Sequence, residues 1–260
     1  MSTDVRAALI IIGNEVLSGR TQDANLQFLA LGLNEVGVRL KEVRVIPDDE
    51  AEIIATVNAL RARYTYVFTT GGIGPTHDDI TSECVAKAFG VPLRQDPRAV
   101  KLLKRVIKPE NLNEARLRMA NIPEGADLID NPVSAAPGFH IGNVYVMAGV
   151  PRIMQAMFDG LKAGLKGGAS MVSRSVTLHV GEGGIAAPLA AIQTRHPEVE
   201  IGSYPFTRDS GYGTVIVTRG ADAALVAAVT AEVAAMARAL GARVEDDDHS
   251  TDHGHAPETP

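Results

Sequence analysis

The chain has 260 residues, 45% of them hydrophobic and 22% charged, which is enough apolar material for one large domain or two ordinary ones. A single cysteine, Cys84, excludes an intramolecular disulfide and points to a reducing, cytoplasmic setting. The net charge of −6 arises wholly from residue 169 onward, where six arginines and no lysine face twelve acids; such a surface repels phosphate backbones and excludes nucleic acid as a partner.

Residues 1–4 carry an acid and no basic residue, and the apolar run over 7–12 is too short for a signal peptide or a membrane span. That run, continuous and β-branched, predicts a strand buried on both faces. Leu26, Leu29, Ala30, Leu33 and Val36 then recur at helical spacing, with Asp23 as the expected N-cap and Gly37 as the stop. A strand over 38–46 ends at Pro47-Asp48-Asp49. Ile53, Ile54, Val57 and Leu60 mark the next helix, and 64–70 the third strand. A glycine loop and a helix over 80–89 follow. Repeated strand–helix–strand units with short links predict a mostly parallel, doubly wound sheet.

Helices over 98–107 and 111–119 read as a flanking layer. Residues 133–138 form a Pro/Gly-rich loop, and strands over 139–141 and 144–147 flank the hairpin signal Gly142-Asn143. A helix opening at Pro151 closes the domain near Leu165. Residues 166–169 are the expected boundary, so the first domain spans 1–166. The second, 169–244, reads as a small βαββα unit: strands over 173–180, 200–205 and 213–219, helices over 185–195 and 221–240. The remainder, 245–260, is acidic, His-rich and poor in apolar residues, and is expected to be a solvated, disordered tail.

The segment with most chemistry is Gly71-Gly72-Ile73-Gly74-Pro75-Thr76-His77-Asp78-Asp79, between a predicted strand and a predicted helix. In an open α/β sheet, ligands sit beyond the C-terminal strand ends. Here Gly71, Gly72 and Gly74 allow sharp turns and close approach to an anion, while successive N–H groups and the next helix N-terminus supply positive partial charge. Thr76 and Asp78 belong to the same cradle. The segment is neither a Walker A loop nor a dinucleotide fingerprint. Asp78 and Asp79 would repel a phosphate unless a cation intervened, and Mg²⁺ binds through one or two carboxylates plus phosphate oxygens. Asp48 and Glu15, at neighbouring strand ends, bring two further acids to the same crevice. Helix capping is the competing use of Asp79 and of Asp48 or Asp49. Ser134, in the stiff loop leading to Pro137 and Gly138, is a weaker candidate for a phosphate contact, and the stretch by itself reads as an ordinary Pro/Gly connection.

These segments resemble a known family. Gly13-Asn14-Glu15, Asp23-Ala24-Asn25, Pro47-Asp48-Asp49, the Thr70–Thr81 block, Ala136-Pro137-Gly138-Phe139 and Gly149-Val150-Pro151 look like the MoaB/Mog molybdopterin-binding superfamily, and within it the CinA (competence/damage-inducible protein A) group. The resemblance covers roughly residues 5–166. It implies a three-layer α/β/α domain, followed by a small KH-like α+β domain and no amidase domain, so deamidase activity is not expected.

The resemblance further implies metal-dependent cleavage of ADP-ribose-type diphosphates. Asp48 and Asp79 would be the catalytic acids, and Asp79, Asp48 and Glu15 would hold Mg, Mn or Co. The Gly71–Thr76 loop would be the phosphate cradle. Molybdopterin binding or adenylyl transfer, and non-catalytic nucleotide binding, are the alternatives. The ligand is in each case a phosphorylated nucleotide or pterin, and the chain is expected to form a homodimer. Asn14 stands where many relatives have Asp, and Ser134 where many have Gly.

Overall fold

In a computed structural model, residues 5–169, 171–208 and 211–245 are described. The chain divides into two compact units, Met1–Gly168 and Ala169–Pro260. The tail expected over 245–260 lies outside the described residues, except Glu245.

The first unit runs β1 (Arg6–Ile12), α1 (Asn14–Leu17), α2 (Asn25–Glu35), β2 (Arg39–Ile46), α3 (Glu50–Arg61), β3 (Tyr66–Thr70), α4 (Thr81–Phe89), β4 (Leu93–Gln95), α5 (Pro97–Val106), α6 (Glu114–Leu117), β5 (Asn121–Pro123), β6 (Asp127–Ile129), β7 (Gly138–Ile141), β8 (Val144–Met147) and α7 (Pro151–Lys162). Its main sheet has the order β2-β1-β3-β8-β7-β6. The first four strands are mutually parallel, and β7 and β6 complete the sheet antiparallel to their neighbours. β1 is buried from Ala7 to Ile12, as a strand covered on both faces requires.

Two apolar clusters make the flanking layers. Leu29 and Leu33 of α2 pack with Met154, Met157 and Phe158 of α7 on one face. Ile53, Val57 and Leu60 of α3 pack with Cys84 and Val85 of α4 and Leu103 of α5 on the other. The connection β1–α2–β2 thus crosses one face and β2–α3–β3 the other. The order reverses at β1 and β3, whose C-terminal ends form the switch point where such sheets bind ligands.

The helix expected over 111–119 is instead three short pieces: a 3₁₀ turn at Pro109–Asn111, α6, and a 3₁₀ turn at Arg118–Ala120. The Asn113 side chain accepts the Arg116 N–H at 3.0 Å, restarting the helix rather than continuing it. The ribbon β4–β5 and strand β6 are three residues each, too short to show an alternating pattern.

The second unit comprises β9 (Val172–His179), α8 (Glu182–Arg195), β10 (Glu200–Arg208), β11 (Gly211–Gly220), α9 (Ala223–Ala239) and β12 (Arg243–Glu245). Its antiparallel sheet has the order β10-β11-β9-β12, so a final strand adds to the expected βαββα pattern. The alanine-rich helix α9 buries Val226, Val229, Val233, Ala234 and Ala237 in a core shared with Ile185, Ile192 and Ile216 of its own unit. No helix of the described residues is long and apolar enough to cross a membrane.

Candidate functional site

The glycine loop sits at the switch point, and its shape is imposed by four neighbours. Gly71 has φ 106 and donates its N–H to the Met147 carbonyl at the end of β8, 3.2 Å away. A Cβ here would stand 2.1 Å from the Ile12 carbonyl, so the loop passes over β1 only because residue 71 has no side chain. Gly72 has φ 68 and its carbonyl accepts the Thr81 N–H at 3.0 Å. The Thr81 hydroxyl, fully buried, donates to the Gly71 carbonyl at 3.1 Å. Gly149 packs against the Gly71 backbone. Its carbonyl accepts the side-chain amide of buried Asn25, from the start of α2, at 2.8 Å.

The outcome is a run of open donors. Among the described residues, the N–H groups of Gly72, Ile73 and Gly74 have no acceptor. Three successive N–H groups without an intrachain acceptor are the arrangement an anion can satisfy.

The acids have distinct partners. Asp79 Oδ2 accepts the N–H of Thr76 at 2.7 Å and the Thr76 hydroxyl as well. It therefore ties off its own loop and does not cap α4, whose N-cap residue is Ile80. Asp48 Oδ2 accepts the backbone N–H of Asn14 at 2.9 Å. The cap of α3 is Asp49, which accepts the Glu52 N–H at 3.0 Å, so Asp48 is free of that task. Any residue except proline at position 14 supplies the same backbone donor, so the Asn14 departure leaves this contact intact. Asp78 is exposed; the Thr76 hydroxyl, shared with Asp79, and then its own backbone N–H hold its carboxyl below the ordinary range.

The expected metal set of Glu15, Asp48 and Asp79 does not assemble. Among the described residues, no group of three or more His, Cys, Asp or Glu side chains is placed to hold a metal ion. Glu15 folds its carboxylate back over Gly13 at the start of its own short helix. Asp48 and Asp79 each keep one oxygen, Oδ1, without a partner among the described residues.

The expected ligand loop divides in two. Ser134 is half-buried, and its oxygen accepts the Asn131 side-chain amide at 2.7 Å, leaving the hydroxyl proton to point elsewhere. Asn131, 3% exposed, also donates to the Ala136 carbonyl and accepts the Val133 and Ser134 N–H groups, which fixes the loop. Pro137 and Gly138, also expected at the ligand, are buried. A Cβ on Gly138 would stand 2.3 Å from the Val146 carbonyl, so this residue serves the close passage of β7 along β8. Thr81, Asn25 and Asn131 are the positioning residues that sequence reasoning did not single out. Thr81 and Asn25 stand within the quoted motif segments, and Asn131 opens the Pro/Gly-rich stretch.

Fold and site together define an α/β protein with a glycine-rich loop at the switch point of a mostly parallel sheet. Residues 8–166 match the family described as "Probable molybdopterin binding domain", and the chain belongs to that family. Residues 170–243 match the family described as "FAD synthase, middle domain". A protein of Archaeoglobus fulgidus is 35% identical over 197 residues, covering 76% of this chain and 84% of the relative. A CinA-like protein of Myxococcus xanthus is 30% identical over 213 residues; the match covers 76% of this chain and 51% of that protein, about half its length. The crystal structure of CinA from Thermoplasma acidophilum superposes with a TM-score of 0.59 at 34% identity, covering 62% of this chain and 99% of that one.

Proposed function

We propose that this chain is a hydrolase that cleaves a nucleotide diphosphate of the ADP-ribose type with the help of a divalent cation. The observation that carries the reading is the occurrence in one loop of three open amides, at Gly72, Ile73 and Gly74, with the acid Asp79, while Asp48 follows β2, two strands along the same sheet edge. The amides would hold non-bridging phosphate oxygens. Asp48 and Asp79, each with one open oxygen, suit a magnesium-like ion that arrives with the substrate phosphates better than a resident, all-protein cage. When bound, such an ion neutralises phosphate charge and lowers the pKa of a coordinated water. Asp79 also keeps Thr76 folded back, which holds the amides in place, and Ser134 can donate to a phosphate oxygen.

The family match favours a second reading, binding of molybdopterin or its adenylation, because the same cradle suits a pterin phosphate. Purified protein incubated with ADP-ribose and Mg²⁺, Mn²⁺ or Co²⁺ should release AMP, and EDTA should stop the release. Activity undiminished in chelator refutes the metal role. An adenylated pterin, formed from ATP and molybdopterin with no ADP-ribose turnover, supports the second reading. A thermal shift with nucleotide but no turnover reduces the protein to a binder. Homodimerisation is part of the proposal. Light scattering showing 27.5 kDa over a wide dilution range would reject it.

A further inference from the structure

A cleft of about 480 Å³ lies between Ile107, Lys108, Arg116 and Met119 on one wall and Ser134 and Ala136 on the other. Its position follows from the sheet. Phe139 of β7 pairs with Val146 of β8, so the chain entering β7 stands opposite the end of β8, where Met147 receives the Gly71 N–H. Two strand spacings separate the loops, or about 10 Å along one sheet edge. Both lie on one face, because Ile73 and Ile80 beside the glycine loop pack on the same apolar cluster as Ile107, Met119 and Ala136.

The chemistry of the cleft is that of an amphiphilic anion site. Lys108 and Arg116 have no carboxylate partner among the described residues. The Asn111 carbonyl accepts Arg116 Nη1 at 2.7 Å, which orients the guanidinium and leaves its other N–H groups open. Ser134 receives a hydrogen bond from Asn131, so its own proton is available to an acceptor. Ile107, Met119 and Ala136 supply an apolar surface for a ring or sugar. A monophosphate seated on the glycine loop would leave these groups without a ligand.

We infer that the cleft is a second subsite that takes the far half of a two-part ligand, with Lys108 and Arg116 gripping the phosphate chain that joins the halves. The ligand class is then a diphosphate-linked nucleotide and not a monophosphate. This rests on the glycine loop being the phosphate cradle.

Isothermal titration of the full chain with AMP and with ADP-ribose separates the two ideas. Wild-type protein should bind ADP-ribose more tightly than AMP. A Lys108→Met, Arg116→Gln double variant should lose about tenfold to a hundredfold in ADP-ribose affinity, the range for charge-assisted hydrogen bonds. AMP affinity should stay within about twofold. Lys108→Met alone breaks no intrachain contact and should show part of the loss if the double variant unfolds. Equal wild-type affinity for the two nucleotides, or unchanged ADP-ribose binding by the variants, overturns the second subsite and leaves the cradle standing. A parallel loss for both ligands also overturns it, since bulk charge would then be the cause. Binding of neither nucleotide to wild type overturns the cradle and the cleft together.

Discussion

Two glycine-rich segments occupy the same place in the strand-to-helix pattern and end in opposite structures. Gly71-Gly72-Ile73-Gly74 follows β3; Gly181-Glu182-Gly183-Gly184 follows β9. In the first, two glycines take positive φ and three amides stay open. In the second, Gly181 has φ −72 and serves as N-cap, α8 begins at Glu182, and the Gly184 N–H bonds back to the Gly181 carbonyl at 3.0 Å. Glycine content is therefore not what makes an anion site. What differs is bracing. The loop after β3 is held off helical geometry by Thr81 on its carbonyls, by Asp79 on Thr76 and by the β8 end on Gly71. In the other segment the contacts fall on the Val180 carbonyl, from Thr214, and on the Glu182 side chain, from Ser203; they leave the glycine backbone to wind into a helix.

Substitutions can break or sharpen this contrast. Gly71→Ala should cost about 3 kcal/mol, because it combines left-handed strain with a clash against the Ile12 carbonyl. Urea unfolding measures it, and a fully stable variant would show that the passage over β1 is not tight. Thr81→Val keeps the volume but leaves the Gly71 carbonyl without its donor; a loss of about 1–2 kcal/mol and weaker AMP binding are expected. Asp79→Asn preserves an acceptor for Thr76 while removing charge, so ADP-ribose cleavage should fall about tenfold or more, equivalent to about 1.4 kcal/mol, with the melting temperature nearly unchanged. If turnover survives, Asp79 is a brace alone. Gly183→Ala, facing open space inside a helix, should stabilise by about 0.5–1 kcal/mol, the reverse of the result at Gly71.

The smallest effect at neutral pH is at Cys84, on the helix fed by the glycine loop. Burial first, then the nearby Glu50 charge, push its thiol from the ordinary 9.0 up to about 11. The unfolded chain therefore gives up this proton at lower pH than the folded one, and ionisation favours unfolding. The contribution is intact below about pH 9 and is lost as the pH climbs towards 11. Wild type should lose more melting temperature than Cys84→Ala between pH 8 and 10.5. Iodoacetamide should label the native thiol slowly at pH 8 and faster in Thr81→Val, if Thr81 pins the start of α4.

Much of the first unit was legible because its signals are local and repeated. The buried run of β1, the helical spacing in α2 and α3 and the hairpin at Gly142-Asn143 each encode an element in a few neighbouring residues. Asp23, the expected N-cap, stands one residue before the N-cap Ala24, yet its carboxylate still accepts the Leu26 N–H at 2.8 Å. What was not legible depends on partners far along the chain. Nothing near Glu15 says that its carboxylate turns back over Gly13, and nothing near Asp48 says that its partner is a backbone amide 34 residues earlier. Nor does the glycine spacing at 181–184 reveal that α8 absorbs Gly183, Gly184 and Pro188. The cleft at Lys108 escaped notice because its walls come from segments with weak or broken periodicity.

The bond from Gly71 to Met147 and that from Asn25 to Gly149 also set a timetable. β8 enters the sheet between β3 and β7, so the loop after β3 has no final anchor until nearly 150 residues have left the ribosome. Such long-range pairings close slowly, because the entropy of a large loop must be overcome before any contact compensates it. The helices on either face can form early, but the anion cradle is among the last parts of the unit to take shape. A nascent chain halted before β8 would carry the entire glycine motif and still lack a binding site.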